Sequence, residues 1–201
     1  MLHDSLTPVP PFSALIFDCD GTLVDTQSAH HRALKETLAV HGVTLDDAWY
    51  LARAGTSIRE LLDELRAGSG HEFDQEAMMS DRERRYVELA ETLVEIAAVA
   101  DVARAYHSHV PLAVASGGTR PAVEPVLRNL GLLGLFDAVV TYDDVERGKP
   151  APDLFLLAAE RLGTTPDGCI VYEDTDEGVT AARRAGMRVV DVRVARDSKG
   201  R

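Results

Sequence analysis

The chain has 201 residues, of which 45% are hydrophobic and 27% charged, and its formal net charge is -12. These values are ordinary for a globular protein of one domain, or of a core domain with a smaller inserted one, and they exclude a disordered or fibrous chain. The acidic surplus argues against a nucleic-acid partner, because phosphate backbones attract Lys and Arg.

The first thirteen residues and the cysteines favour a protein of a reducing compartment. Residues 1–13 contain three prolines and no apolar stretch of signal-peptide length, so we expect a loosely ordered lead-in. Cys19 and Cys169 each lie in an apolar run, and we interpret both as buried thiols without a redox role. No run approaches the length of a membrane span. We therefore expect a cytoplasmic protein with no membrane partner.

The first predicted element is a buried strand at 14–18, where four apolar positions run into charged residues. Helical spacing of apolar residues then predicts four helices and no strand between them. Their predicted ranges are 28–41, 46–54, 57–67 and 74–96. This first half of the chain therefore indicates one strand followed by an all-helical insertion.

Beyond the insertion, short apolar runs alternate with helices. Strands are predicted at 111–115, 138–141, 169–172 and 188–192, and helices at 121–130, 153–162 and 175–185. Such alternation is typical of βαβ units, so we expect a Rossmann-like α/β core with a parallel sheet and helices on both faces. The predicted domains are a core of residues 1–26 with 96–201 and a helical cap of residues 27–95. Residues 94–109, which join them, contain no Pro-Gly turn, so the exact boundary within this segment stays open.

Polar residues follow each core strand at its carboxyl end. They are D-C-D-G-T at 18–22, S-G-G-T at 116–119, Y-D-D at 142–144 and E-D-T at 173–175. In open α/β sheets, ligands bind at this edge, so we expect the four clusters to converge there. The paired carboxylates of Asp18 and Asp20 are compatible with a metal site or with an acid/base pair.

Four of these features together resemble the haloacid dehalogenase superfamily of phosphohydrolases. They are D-C-D-G-T at 18–22, a strand ending in Ser116, G-K-P at 148–150 and E-D at 173–174. The likeness is nearest to the β-phosphoglucomutase-like subfamily and its short fructose-1-phosphate phosphatase-like members, through D-G-T-L-V-D-T, K-P-A-P-D-L-F and E-D-T-D-E-G-V. It covers residues 14–192 in matching order.

The chemistry of phosphoryl transfer assigns roles to these residues. An in-line nucleophile and a proton donor for the leaving oxygen are needed. We predict Asp18 as the nucleophile, which forms an aspartyl-phosphate, and Asp20 as the general acid and base. Lys149 is expected to pair with the phosphate and with Asp18, and Ser116 to donate its hydroxyl to a phosphate oxygen. Backbone amides of three residues are predicted to add donors: Gly21, Thr22 and Gly117.

Oxygen ligands at 18 and 173–174 predict a Mg²⁺ cofactor. Asp18 and Asp174 are expected as direct ligands, and Glu173 as a ligand either directly or through water. The resemblance adds the backbone carbonyl of Asp20. An N-cap role for Glu173 and Asp174 before the following helix is compatible with these assignments.

The carboxylate at Asp20 favours phosphatase or phosphomutase chemistry over dehalogenation, because displacement of a halide needs no acid. By comparison with the mutases, the polar residues of the insertion that match or replace theirs are Thr26, His30, Gly55, Thr56, Arg59 and Arg82. Two cationic positions differ: Ala54 stands where a Lys is expected, and Ile58 where an Arg is expected, with Arg59 shifted by one residue. Fewer cations weaken the grip on a bisphosphate, so a phosphatase is favoured.

We therefore expect a Mg²⁺-dependent phosphatase for a small sugar phosphate, acting as a monomer or a small homo-oligomer. A β-phosphoglucomutase-type mutase is the alternative. A non-catalytic binding protein on the same scaffold is disfavoured, because the four key residues are all present: Asp18, Asp20, Lys149 and Asp174.

Overall fold

The computed structural model describes residues 3–53, 56–69 and 73–194. The chain divides into two compact units, Met1–Asp25 with Leu93–Arg201, called the core unit, and Thr26–Thr92, called the helical unit. In chain order the elements are β1 Ala14–Phe17, β2 Val24–Asp25, α1 Gln27–Val40, α2 Asp47–Leu51, α3 Ile58–Ser69, α4 Gln75–Glu88, β3 Val94–Glu95, α5 Ala97–Tyr106, β4 Leu112–Ala115, α6 Arg120–Asn129, β5 Ala138–Val140, α7 Asp153–Arg161, β6 Cys169–Glu173, α8 Asp176–Arg184 and β7 Arg188–Asp191.

A five-stranded sheet forms the centre of the core unit, in the order β5-β4-β1-β6-β7. All neighbouring strands are parallel, and Leu15 of β1 lies beside Leu112 of β4 and Ile170 of β6. Every residue of β1, β4 and β6 is buried, which explains why these strands are continuous apolar runs rather than alternating ones. The predicted parallel α/β fold is confirmed.

Helices α7 and α8 pack their apolar residues against this sheet. Leu154 and Phe155 of α7 and Ala181 of α8 belong to one buried cluster with Ile16 and other strand residues. The small alanines of α8 allow the helix backbone to lie close to the sheet. This packing fixes the positions of the loops that precede both helices.

The helical unit has its own core, to which α1, α3 and α4 contribute. Its buried members are Leu34, Leu38, Val43, Leu45, Leu61, Leu62 and Met78. Asp46 and Asp74 cap α2 and α4 by accepting hydrogen bonds from backbone amides of the first turn. The second predicted helix is shorter than expected, since α2 ends at Leu51; its predicted end at Ala54 lies outside the described residues.

The prediction of one long helix to residue 96 was wrong. Helix α4 ends at Glu88, a 3-10 turn covers Ala90–Thr92, and Val94–Glu95 forms β3. Strand β3 pairs antiparallel with β2 in the core unit. A strand of two residues has no detectable period, and its partner lies far away in sequence, so the local pattern could not reveal it.

Helix α5, Ala97–Tyr106, fills most of residues 94–109, the segment in which the sequence leaves the boundary open. Four of its residues are buried: Val99, Ala100, Val102 and Ala103. Six of its first eight residues, from Ala97 to Arg104, are apolar, and this nearly continuous run concealed the helical period. Across the described ranges, no helix is both long and apolar enough to cross a bilayer.

The first residues of the described chain are packed, contrary to the predicted loose lead-in. Asp4–Leu6 forms a 3-10 turn, and the Leu6 side chain is fully buried. The Tyr172 hydroxyl donates a hydrogen bond of 2.7 Å to the Leu6 carbonyl, and Arg188 donates to the carbonyls of Val9 and Pro11. Prolines leave extended backbone with exposed carbonyls, and donors from the sheet satisfy them.

Substitution Leu6→Ala should therefore lower the free energy of unfolding by about 2–5 kcal/mol, the range for removing a buried leucine side chain. Urea unfolding followed by circular dichroism measures this. The control is Val9→Ala, whose side chain is 70% exposed and whose effect should stay within about 0.5 kcal/mol. Equal, negligible effects of the two substitutions would contradict the packed arrangement.

Candidate active site

The carboxyl ends of three adjacent strands bring the candidate residues together. Asp18 follows β1, Ser116 follows β4, and Glu173 ends β6, and in the sheet β1 lies between β4 and β6. Parallel strands present their carboxyl ends at one edge, so these side chains meet although they are far apart in sequence. Lys149 lies in the loop that precedes α7.

Lys149 lies between two carboxylates. Its Nζ is 2.5 Å from Oδ1 of Asp18 and 2.7 Å from Oε2 of Glu173. Only 10% of the Lys149 side chain is exposed, and the other two side chains are more deeply buried. The ammonium also lies 5.0 Å from the centre of the Phe155 ring. The lysine is thus fixed in place, with its charge directed at the predicted nucleophile.

Asp174 is seated by the D-G-T turn. The Thr22 hydroxyl donates a hydrogen bond of 3.0 Å to Oδ1 of Asp174. Gly21 has a φ of +79°, and a Cβ added there would lie 2.2 Å from Oδ2 of Asp174. Only glycine accommodates both the backbone conformation and the carboxylate. The turn predicted to bind phosphate through its amides therefore also positions the carboxylate of Asp174.

Ser116 lies beside Asp20. Its hydroxyl donates to Oδ2 of Asp20 over 3.4 Å and accepts from the amide of Gly118 at 3.0 Å. Ser116 is fully buried, Asp20 is half-buried and Gly117 is exposed. Gly118 was not predicted as a site residue; an added Cβ there would contact Oδ2 of Asp20 at 3.5 Å. The repeated glycine of S-G-G-T was the signal for it.

The electrostatics of the cluster are set by an excess of negative charge. Burial, followed by the charge of Glu173, raises the pKa of Asp18 well above its usual range, although the Lys149 ammonium acts to lower it. Burial alone would lower the pKa of Lys149, but the charges of Asp18 and Glu173 outweigh it and raise that pKa. Both shifts have the same direction because the carboxylates outnumber the cation.

This cluster fits a hard divalent cation. Asp18, Glu173 and Asp174 each offer an oxygen, and these oxygens lie within 4.8 Å of one another. Three carboxylates and one ammonium carry, when ionised, a net charge of -3 + 1 = -2, which a divalent cation balances. Carboxylate oxygens are the ligands that such cations prefer. The residues are therefore suitable for a divalent metal.

In the helical unit, the side chains of two of the predicted residues, His30 and Arg82, are in contact. Arg82 hydrogen-bonds Nδ1 of His30, and the His30 ring stacks on Tyr86 with 4.3 Å between ring centres. Arg59 instead lies at the surface, paired with Glu76 at 2.9 Å. Thr26 is buried at the start of α1 and Thr56 is partly exposed, while Gly55 lies outside the described residues. His30 and Arg82 thus form one polar group.

Residues 12–186 match the family described as haloacid dehalogenase-like hydrolase. The chain belongs to this family. The match spans both units and all four motifs, and the predicted resemblance is confirmed.

Named relatives specify the family further. The chain is 37% identical over 183 residues to the fructose-1-phosphate phosphatase YqaB of Escherichia coli, which covers 91% of this chain and 97% of the relative. It is 30% identical to the validoxylamine A 7'-phosphate phosphatase of Streptomyces hygroscopicus, over 94% of this chain and 89% of that one. A Thermotoga maritima structure assigned as a β-phosphoglucomutase has a TM-score of 0.72 at 30% identity, covering 88% and 83% of the two chains. The chain is thus an enzyme of the haloacid dehalogenase-like hydrolases, and its named relatives include phosphatases.

This hydrolase also has a polar network that sequence reasoning missed, behind the Ser116 loop. Asp144 accepts hydrogen bonds from Thr141, from Arg120 at 2.7 Å and from Arg161 at 2.8 Å. Arg120 begins α6 directly after the S-G-G-T loop. Burial would raise the pKa of Asp144, but the bonds from Arg161 and Thr141 and the Arg120 charge lower it to about 2. The network therefore anchors this loop to β5 and α7.

Replacing Asp144 with Asn should lower the free energy of unfolding by about 1–2 kcal/mol at pH 7, because a pKa lowered from 3.8 stabilises the fold wherever the carboxylate is ionised. The partly exposed arginines keep this figure below the full shift. The stabilisation is present above the unfolded pKa and is lost as pH falls through the folded one. The difference between wild type and variant should therefore shrink between about pH 4 and pH 2.

Urea unfolding at several pH values measures this difference. Asp101→Asn is the control, because this carboxylate is 57% exposed and pairs with Arg104 within its own helix. Its effect should stay below about 0.5 kcal/mol. A difference between wild type and Asp144→Asn that does not change with pH would contradict the assignment.

Proposed function

We propose that the chain is a Mg²⁺-dependent phosphatase that hydrolyses a small sugar phosphate through an aspartyl-phosphate on Asp18. The observation that supports this best is the buried contact of Lys149 with Asp18 and Glu173 beside Asp174. A buried carboxylate fixed by an ammonium at the carboxyl edge of a parallel sheet is placed for attack on a bound phosphate.

The proposed hydrolysis has two steps, in which the two aspartates have different roles. Asp18 attacks phosphorus, and the bond from phosphorus to the leaving oxygen breaks as Asp20 gives that oxygen a proton. Asp20 then takes a proton from the water that attacks the aspartyl-phosphate, which releases inorganic phosphate and regenerates Asp18. The hydrogen bond between Ser116 and Asp20 supports a place for Asp20 next to the phosphate site. Lys149 and Ser116 stabilise charge on the phosphate oxygens, with the amides of three further residues: Gly21, Thr22 and Gly117.

The proposed cation is Mg²⁺, with Asp18, Asp174 and the backbone carbonyl of Asp20 as ligands and Glu173 in the same cluster. The net charge of the cluster and its oxygen donors support this choice. When bound, Mg²⁺ would neutralise the phosphate and allow the Asp18 carboxylate to approach it.

A sugar phosphate is the proposed substrate because of the named relatives and the polar residues of the helical unit. The fructose-1-phosphate phosphatase is 37% identical to this chain. His30 and Arg82 form a hydrogen-bonded pair of the kind that recognises hydroxyl groups. We propose this pair, with Thr26, Gly55 and Thr56, as sugar contacts. The pairing of Arg59 with Glu76 makes it a weaker candidate.

A phosphosugar mutase is the second candidate, favoured by the likeness to the structure assigned as a β-phosphoglucomutase. The two reactions share the aspartyl-phosphate and differ in the acceptor, which is water in a phosphatase and a sugar hydroxyl in a mutase. Ala54 and Ile58 at positions expected to be cationic favour the phosphatase.

The purified protein with Mg²⁺ should release inorganic phosphate from one or more members of a hexose and pentose phosphate panel that includes fructose 1-phosphate. Chelation with EDTA should stop the release, and added Mg²⁺ should restore it. Asp18→Asn should reduce the rate by at least about a thousandfold, because the nucleophile is removed. Isomerised sugar phosphate with little free phosphate would identify the mutase; no activity with sugar or aryl phosphates would refute both.

The two aspartates should separate kinetically with p-nitrophenyl phosphate, whose leaving group needs no proton. Asp20→Asn should release a burst of one nitrophenol per enzyme and then slow by about 10²–10⁴-fold, since water attack lacks its base. Asp18→Asn should give no burst. Stopped-flow absorbance measures both, and a steady rate without a burst in Asp20→Asn, at wild-type level, would refute the role of Asp20.

A further inference from the structure

Both oxygens of the Glu173 side chain are engaged by protein donors. Oε1 accepts hydrogen bonds from the amides of Asp174 and Thr175 and from the Thr175 hydroxyl, each of 2.9 Å. Oε2 accepts from Nζ of Lys149 at 2.7 Å, and the residue is fully buried. A carboxylate oxygen has about two lone-pair positions, so the three donors saturate Oε1, and the Lys149 ammonium takes one position of Oε2. Each oxygen of Glu173 is therefore held by a protein group.

A glycine of α8 provides the space for this carboxylate. A Cβ added at Gly178 would lie 2.0 Å from both Cδ and Oε2 of Glu173 and 2.5 Å from its Cγ. The Gly178 amide in turn donates to the Thr175 hydroxyl, at 3.0 Å, which caps the helix. The carboxylate thus lies against the first turn of α8, where helix amides favour a negative charge. Its position is fixed by steric fit as well as by hydrogen bonds.

The side chain joins two loops of the site. On one side it holds the ammonium of Lys149, which also contacts Asp18. On the other it holds the turn that begins with Asp174, through both amides of that turn. Asp18, in contrast, has one described side-chain hydrogen-bond partner, Lys149, on Oδ1. The oxygens of Glu173 are oriented by protein groups, whereas Oδ2 of Asp18 accepts no side-chain hydrogen bond from the described residues.

We propose that Glu173 is a positioning residue that holds Lys149 against Asp18 and fixes the Asp174 turn, while Asp18 and Asp174 supply the carboxylate ligands of the cation. Gly178 serves this arrangement by leaving room for the Glu173 carboxylate. The part about catalysis rests on the proposed function, in which Lys149 stabilises the transferring phosphoryl group. The part about the cation shares the proposed Mg²⁺ site, but binding of Mg²⁺ tests it without turnover.

Two substitutions that each remove one carboxylate charge from the cluster separate positioning from ligation. With Mg²⁺ titrated into the purified protein by calorimetry, Asp174→Asn should weaken binding at least about tenfold more than Glu173→Gln does. At saturating Mg²⁺, Glu173→Gln should still lower kcat by about 10–100-fold, because Lys149 loses one of its two anionic partners. Equal losses of Mg²⁺ affinity, with kcat of Glu173→Gln restored by excess Mg²⁺, would overturn the proposal.

Gly178→Ala tests the same point without a change of charge. The added methyl group must displace the Glu173 carboxylate, so kcat should fall by about 10–100-fold, while the Kd for Mg²⁺ should rise much less than it does in Asp174→Asn. Gly68→Ala is the matched control, since it also lies inside a helix and no described atom is within 4 Å of its added Cβ. Its activity should be unchanged. Loss of Mg²⁺ affinity in Gly178→Ala, with kcat intact, would overturn the proposal.

The experiments distinguish this proposal from the proposed function. A wild-type protein that binds Mg²⁺ but releases no phosphate would refute the phosphatase, and the calorimetric comparison of Glu173→Gln with Asp174→Asn would still decide the role of Glu173. If Gly178→Ala does not fold by circular dichroism, that comparison alone decides.

Discussion

Excess negative charge at the carboxyl edge of the sheet is the constraint on which the site depends. Asp18, Glu173 and Asp174 lie within a few ångströms of one another, and Lys149 neutralises only one of the three charges. Buried like charges repel, so such a group persists only if other elements hold it together. The same excess attracts a divalent cation, and through it a phosphate. The negative charge that destabilises this part of the fold is therefore the same charge that binds the cation.

The surrounding structure counters that repulsion by fixing each charged group separately. Gly21 and Thr22 seat Asp174, and Gly178 and Thr175 seat Glu173. In both cases a glycine leaves space for a carboxylate and a neighbouring hydroxyl donates a hydrogen bond to it. Strand β1 pairs with β6 in the sheet, so Asp18 at the end of β1 lies next to both carboxylates. Contacts within the protein thus set the positions of both carboxylates.

The sequence predicted the features of the fold and the site that have a local signal in the chain. Buried parallel strands are continuous apolar runs, so the sheet and the residues at its carboxyl edge could be located, including Asp18 and Ser116. The two-residue strand Val94–Glu95, the packed Leu6 and the alanine-rich helix Ala97–Tyr106 lack such a signal, because pairing and burial with distant residues define them. For the same reason the motif placed Glu173 in the cluster but could not show that Lys149 and the following turn occupy its oxygens.

The central claim is that Asp18 carries the phosphoryl group during turnover. Rapid acid quenching of the Asp20→Asn protein with substrate and Mg²⁺, followed by peptide mass spectrometry, tests it most directly. We expect one phosphoryl group on the peptide that contains Asp18, and hydroxylamine should remove it, as it does from an acyl phosphate. Release of phosphate by the wild-type protein without any such phosphorylated peptide, in either protein, would contradict it.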